Sequence, residues 1–397
     1  MLHNRAEVIV AGHICLDIIP AMPDRQAGMD ALLVPGKLVE IGKAITSTGG
    51  AVSNTGIALH RLGSAVKLMG KIGDDLFGHA INDILNSHSP TLSEGMIVAA
   101  GEASSYSIVI SPPGVDRIFL HCTGTNDTYA AKDIPFEELN EAKLFHFGYP
   151  PLMRAMYENE GEGLVELLQR AKASGVTVSL DMAKPDPASS AGQADWVRIL
   201  AKALPYVDVF LPSFEEILYM LLPDEYARLA EQAGSAEILH LADATLMTRI
   251  SDELLAMGTA VVGLKLGEHG LYIRTTADSN RFAGLGRCAA QLQTDSWLNR
   301  ELLATCFKVK VAGTTGAGDC TIAGFLAGML REVSIEEAIR SAVGVGACNV
   351  EHSDATSGVP SWNEVQHRIH SGWQHRELSL QMSNWHLLEE GLWTKSE

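Results

Sequence analysis

The 397-residue chain carries 48 acidic against 30 basic residues, a net charge of −18 that repels polyanions and disfavours nucleic acid and anionic membrane surfaces as partners. With 46% hydrophobic and 20% charged residues it has the composition of a globular protein, which excludes a disordered or fibrous chain. The same charge opposes a bound nucleotide, so any phosphate site must draw on backbone amides, a helix dipole and a metal ion.

In chain order, Val8–Ile14 reads as a buried strand soon followed by Asp17, too short and too early interrupted for a signal peptide. The cytoplasm is the expected compartment. This strand is expected near the centre of a sheet, with a second extended piece running to Ile19. Residues 37–48 and 105–121 are β-rich, the latter around Pro112-Pro113-Gly114, and suit a small accessory sheet. Between them, Asn54–Leu62 reads as a helix closed by Gly63, Val66–Met69 as a strand and Asp75–Asn86 as a helix.

Strand and helix then alternate: strands at 144–147, 176–180 and 207–211, helices at 152–173, 196–204 and 214–222. That alternation predicts a mainly parallel sheet covered on both faces. Ala260–Leu266 is a further buried strand, turning through Gly267 and Gly270 into Leu271–Ile273. Six cysteines, at 15, 122, 288, 306, 320 and 348, form no C-x-x-C pair, which predicts reduced thiols and excludes a zinc ribbon.

The sharpest signal follows. Phe307–Val311 alternates as a strand, breaks into Ala312-Gly313-Thr314-Thr315-Gly316-Ala317-Gly318-Asp319, and enters an apolar helix in which Ala323, Gly324, Ala327 and Gly328 leave room for close packing. Small residues at a helix N-terminus let backbone N–H groups approach an anion, where the dipole adds about half a positive charge. Asp319 at this entrance is either an N-cap or a base that accepts the proton of an attacking hydroxyl. No G-x-x-x-x-G-K-[ST] P-loop occurs, nor the H-R-D and D-F-G signatures of protein kinases.

A second cluster, Gly49-Gly50-Ala51-Val52-Ser53-Asn54, precedes a helix and then Gly73-Asp74-Asp75-Leu76-Phe77-Gly78. Gly49, Gly50, Asn54, Gly73, Asp75 and Gly78 in that order resemble the first signature of the ribokinase/PfkB carbohydrate kinase family. Gly313–Asp319 resembles its second, D-T-T-G-A-G-D, at every position but the first. The resemblance covers Val8 to Trp362 and implies a three-layer α/β/α ribokinase-like fold with a small β-sheet lid, from about 16–48 and 101–125, that closes over a sugar. It divides the chain into a kinase domain, 1–362, and a C-terminal extension, 363–397, whose role it does not explain.

It implies an ATP- and Mg²⁺-dependent kinase acting on a hydroxyl of a sugar or sugar-like molecule. Asp319 would be the base, with Gly316, Ala317 and Gly318 as anion hole. Asp17, Gly49, Gly50 and Asn54 would bind the acceptor, and Lys265, Gly267, Gly270, Thr315 and Asn349 the nucleotide. Glu216, in Pro212-Ser213-Phe214-Glu215-Glu216, would hold Mg²⁺ through water, and the lid would support a homodimer. A nucleoside kinase, with an aromatic of the lid stacked on the base, and a noncatalytic sugar- or nucleotide-binding regulator remain the alternatives. Three departures stand out: Gly313 where relatives that need K⁺ carry Asp, Ser213 where the family has Asn, and Ala51 where ribokinases proper carry Lys.

Overall fold

Successive side chains of a strand point to opposite faces, and the main sheet buries both. Val8, Val10 and Leu68 enter one apolar core, Ile9, Ala11 and Met69 the other; Val209, Val261 and Leu302 divide from Phe210, Val262 and Leu303 in the same way. The first core is covered by the helices Ala51–Arg61, Ala317–Leu330 and Ile335–Val350. Arg154–Ala173, Trp196–Ala203, Phe214–Leu221 and Ala244–Ala256 cover the second. Helices on both faces of one sheet make a three-layer α/β/α unit, the architecture the resemblance implies. The computed structural model describes residues 6–22, 34–111, 118–288, 292 and 294–396.

The main sheet has ten strands. From one edge, Val66–Met69, Val8–Gly12, Leu144–Gly148, Thr177–Leu180, Val209–Phe210 and Val261–Lys265 run parallel. Leu271–Thr275, Glu301–Ala304, Leu392–Lys395 and Trp385–Glu389 extend it antiparallel. The first strand is therefore second from an edge instead of central: the chain builds outward from it in one direction, and the antiparallel strands lengthen the far side. Segment 363–397, set apart by sequence, supplies the last two strands of this same sheet, and Trp385 and Leu392 are buried there.

A four-stranded sheet forms the lid, in the order Ala44–Gly49, Cys15–Pro20, Tyr106–Ile110, Ile118–Cys122. Within 37–48 the strand begins only at Ala44, and the Pro112-Pro113-Gly114 turn lies outside the described residues. The lid carries apolar residues on its surface, among them Ile45, Ile118, Phe119 and Leu120.

Phe307–Val311 is not a sheet strand. Phe307 bridges only to His375, Lys308 donates its N–H to the Gln374 carbonyl, and Val311 is 53% exposed, so the alternation in this stretch belongs to an extended crossing between the sheet and the glycine-rich loop. The helix expected over 152–173 is interrupted at Glu158–Gly161, where Asn159 and Glu160 take positive φ. The small residues after Asp319 do serve close packing: a Cβ at Gly324 would lie 2.9 Å from the Ala342 backbone of the neighbouring helix. All six cysteines are free. Among the described residues no helix is long and apolar enough to cross a membrane.

Candidate active site

The parallel strands end at one rim of the sheet, where open α/β sheets gather ligand-binding groups. Tyr149 follows Gly148 there, Asp181 follows Leu180, and Lys265 ends its own strand. The glycine-rich loop delivers Asp319 to the same rim. Gly316, at φ 71°, takes the left-handed conformation that opens the helix Ala317–Leu330.

Asp319 is buried, and its carboxylate is ringed by donors. The Tyr149 hydroxyl lies 2.8 and 2.9 Å from its two oxygens, the Asn54 amide donates at 3.0 Å and the Thr55 hydroxyl at 3.4 Å. Burial pushes the Asp319 pKa above the usual carboxylate range, while Lys265 and these three donors pull it back. Such a group is more basic than a solvated carboxylate.

Tyr149 has φ 66°, a left-handed backbone that costs a bulky residue about 1–3 kcal/mol and is held here by the packing around it. Burial and the adjoining Asp319 raise its own pKa well above that of a free phenol, so it stays a neutral donor.

Lys265 donates to Asp181 at 2.7 Å. Burial works against its charge, but Asp181, Glu216 and Asp319 together outweigh it and keep the ammonium protonated. Burial pushes Asp181 up to about 8, with Lys265 opposing. Lys265 lies against Gly318, its chain 3.6 to 3.8 Å from where a Cβ would stand, so one cation sits beside the helix N-terminus.

Glu216 closes a capping box. It accepts the Ser213 N–H at 2.7 Å, and the Ser213 hydroxyl accepts the Glu216 N–H at 3.4 Å. The serine that replaces the family's Asn therefore has a structural partner in Glu216, and both line the cavity described next.

Two cavities meet at Asp319. One, of about 420 Å³, is lined by Lys265, Gly267, Gly270, Glu216, and by Gly316, Ala317 and Gly318 of the loop, with Val343, Ala347 and Val350 as an apolar wall. The other, of about 480 Å³, is lined by Asp17, Gly49, Gly50, Asn54 and Thr315, together with the lid residues Phe119 and His121. Tyr149, Thr314, Gly316 and Asp319 belong to both.

The glycine pair shapes the second cavity. A Cβ at Gly49 would stand 2.3 Å from the Asp17 carboxylate, and Gly50, at φ 92°, passes 2.5 Å from His13 by the same measure. Burial raises the Asp17 pKa against the hydrogen bonds of Cys15 and Ser107.

Thus the expected residues assemble, with two placed differently from their expected neighbourhood. Thr315 faces the cavity of Asp17 and not that of Lys265. Asn349 is fully buried outside the cavity walls, its amide donating 2.8 Å to the Thr315 carbonyl, and so supports the loop from behind. Asp75 of the first signature is an N-cap that accepts from Gly78 and from Ser104, fixing the loop on which the lid rests.

Sequence reasoning passed over Tyr149 and Asp181. Their one signal was position: each directly follows the apolar run of a strand, and Gly148-Tyr149-Pro150-Pro151 marks a sharp break at the ligand-bearing rim.

Residues 5–362 match the pfkB family carbohydrate kinase profile. A protein of Archaeoglobus fulgidus described as an uncharacterized sugar kinase is 25% identical over 292 residues, covering 74% of this chain and 94% of its own. An ATP-dependent ribose-1-phosphate kinase of Halopiger xanaduensis is 25% identical over 290 residues, 73% of this chain and 76% of its own. Among solved structures, ribokinase of Arabidopsis thaliana complexed with ribose and ATP superposes with a TM-score of 0.66 at 16% identity, over 91% of this chain and 98% of the other.

Proposed function

The chain belongs to the pfkB family of carbohydrate kinases, phosphotransferases that act on sugar-like molecules, and from that premise we propose how its own residues divide the reaction. The observation that carries the reading is the sharing of Asp319 between the two cavities. ATP occupies the cavity of Lys265 and the loop, the acceptor that of Asp17 and Asn54, and the acceptor hydroxyl meets the γ-phosphate beside Asp319.

Asp319 takes the hydroxyl proton as the oxygen attacks. Its raised basicity suits that transfer, and Tyr149, Asn54 and Thr55 fix its orientation. The N–H groups of Gly316 and Gly318, at a helix N-terminus, face the charge that develops on the transferred phosphoryl group, and that of Ala317, which donates to the Thr314 carbonyl at 3.3 Å, joins them only by giving up that long bond. Lys265 adds a fixed cation next to them.

Asp181, Glu216 and Asp319 set three acidic groups around this one ammonium, so Lys265 alone does not match the charge of a triphosphate. That balance, and the hard oxygen donors offered, fit Mg²⁺ held through Glu216 and water. Bound there, the ion would offset the phosphate charge. The lid closes on the acceptor and excludes water as a competing nucleophile, and its exposed Ile45, Ile118 and Leu120 support a homodimer through this sheet.

A nucleoside acceptor is the second reading, favoured by Phe119, a lid aromatic on the wall of the acceptor cavity. The test is ADP release from MgATP across sugars, sugar acids, polyols and nucleosides, with Asp319→Asn alongside. Acceptor-dependent release is expected, lost in the variant while ATP binding persists. Near-normal turnover of the variant would remove Asp319 from the role of base.

A further inference from the structure

His13, Cys15 and His121 come together on the wall of the acceptor cavity, and the proposed phosphoryl transfer gives the two histidines no task and Cys15 only a 3.4 Å bond from its thiol to Asp17. One ligand atom from each lies within 4.8 Å of the others. His13 Nδ1 is buried against Gly50 with no hydrogen-bond partner, which leaves Nε2 as the functional nitrogen, and this faces His121 Nε2 at 3.3 Å. Two nitrogens on a tetrahedral Zn²⁺, each at about 2.0–2.1 Å, stand roughly 3.3–3.4 Å apart. The pair already has the spacing a shared metal imposes.

The surroundings are those of a metal site. Ser107 Oγ holds His121 Nδ1 at 2.9 Å; with Nδ1 as donor, the lone pair of Nε2 turns toward His13. Cys15 Sγ lies 3.8 Å from the same Ser107 hydroxyl, and two imidazoles with one thiol form a borderline-soft donor set that selects Zn²⁺ or Co²⁺ and disfavours Mg²⁺. His13 and Cys15 are buried whereas His121 is exposed, so the fourth position opens toward the cavity.

We propose that His13, Cys15 and His121 form a transition-metal site of the Zn²⁺ class inside the acceptor cavity, and that the bound ion competes with the acceptor. The Cys15 thiol binds as thiolate, its proton passing to solvent. Because His13 and Cys15 flank the entry to the strand of Asp17, and His121 comes from the other half of the lid, the ion would also tie the two halves together.

The test is a Co²⁺ titration of the full-length protein without ATP or acceptor, read by absorption, so its outcome is independent of whether the kinase reading holds. One equivalent should give a sulfur-to-cobalt charge-transfer band, displaced by Zn²⁺ and not by excess Mg²⁺. Cys15→Ser should abolish the band, and His121→Ala and Ser107→Ala should weaken binding, the latter about 10–100-fold. Thermal melting of each variant separates loss of a ligand from loss of fold. An acceptor found in the panel should weaken Co²⁺ binding. No sulfur band at one equivalent, or a band unchanged in Cys15→Ser, would overturn the site and leave the His13–His121 contact an ordinary hydrogen bond. Binding at His240, Glu268 and His269, a second cluster without a thiol, would count against it too, because it gives no such band.

Discussion

The Tyr149 hydroxyl lies 2.8 and 2.9 Å from the two carboxylate oxygens of Asp319, and no other side chain reaches both of them among the described residues. This bond favours the ionised carboxylate, against a burial that favours the protonated one.

Tyr149→Phe should therefore raise the Asp319 pKa further. A base must be deprotonated to act, so the acid limb of the pH profile of kcat/KM should move to higher pH, with activity falling most on the acid side and recovering as pH rises. An unshifted acid limb with a uniformly lower rate would show that Tyr149 only fills space. The phenyl ring keeps the packing, so the left-handed backbone at 149 should survive, which a near-native circular dichroism spectrum would check.

How much of this was legible before the structure differs from residue to residue. Gly49, Gly50 and Gly316 could be read because a backbone conformation or close approach restricts the residue type, and Asn54 and Asp319 because each holds a set place in a signature the chain resembles. The alternation of strand and helix was legible for a similar reason: each strand needed apolar residues on both faces. Tyr149 and Asp181 act through partners 170 and 84 residues away, and nothing beside them in sequence announces those partners. Phe307–Val311 misled because alternation records burial on one side, which an extended crossing can have without sheet hydrogen bonds. The last two strands were illegible because Leu392 owes its burial to pairing with Ala304 and Trp385 to its contact with Tyr272, both set far earlier in the chain.

Lys265 and Asp181 make a buried pair at 2.7 Å, so removing one partner strands the other. Lys265→Met should destabilise the fold by about 3–5 kcal/mol, measured by urea unfolding above pH 8, where Asp181 ionises in the parent. Asp181, already pushed up to about 8, rises further without the ammonium, so the deficit should shrink as pH is lowered through 8 and level off near neutral pH. The sign follows from linkage: a carboxyl with a raised folded pKa disfavours the folded state above its unfolded pKa, and the penalty fades as protons become available. Lys265→Met/Asp181→Asn should recover most of the loss in stability while catalysis stays impaired. A single variant as stable as the parent would show that the pair is energetically neutral.

Gly313 stands where K⁺-dependent relatives carry a carboxylate, and its backbone packs on another loop: a Cβ there would lie 3.0 Å from Ser353 Cα and 3.1 Å from its carbonyl oxygen. A monovalent-cation site deprived of a charged oxygen ligand binds weakly. Exchanging K⁺ for a tetraalkylammonium salt at constant ionic strength should leave kcat within about twofold, less than 1 kcal/mol of activation free energy. A large activation by K⁺ would show that carbonyl oxygens suffice at this site.

The C-terminal segment reaches the cavity of Lys265, proposed above to take ATP, through Arg376. Its backbone N–H donates 2.7 Å to the Cys306 carbonyl, its guanidinium bonds Glu268 at 2.7 Å, and both side chains line the cavity. Nearby, Trp373 stacks on Phe307 with ring centroids 4.3 Å apart and the tilted His375 ring lies 4.0 Å from it, which holds the segment against the cavity wall. Arg376 is 44% exposed in its side chain and far from Asp319 in role, so its contact with ATP would be equally strong in the ground and transition states. Arg376→Ala should then raise the KM for ATP about three- to tenfold, roughly 1 kcal/mol, with kcat unchanged. A fall in kcat instead would mean that the segment helps to set the loop of Gly316–Gly318, and an unchanged KM would confine Arg376 to its bond with Glu268.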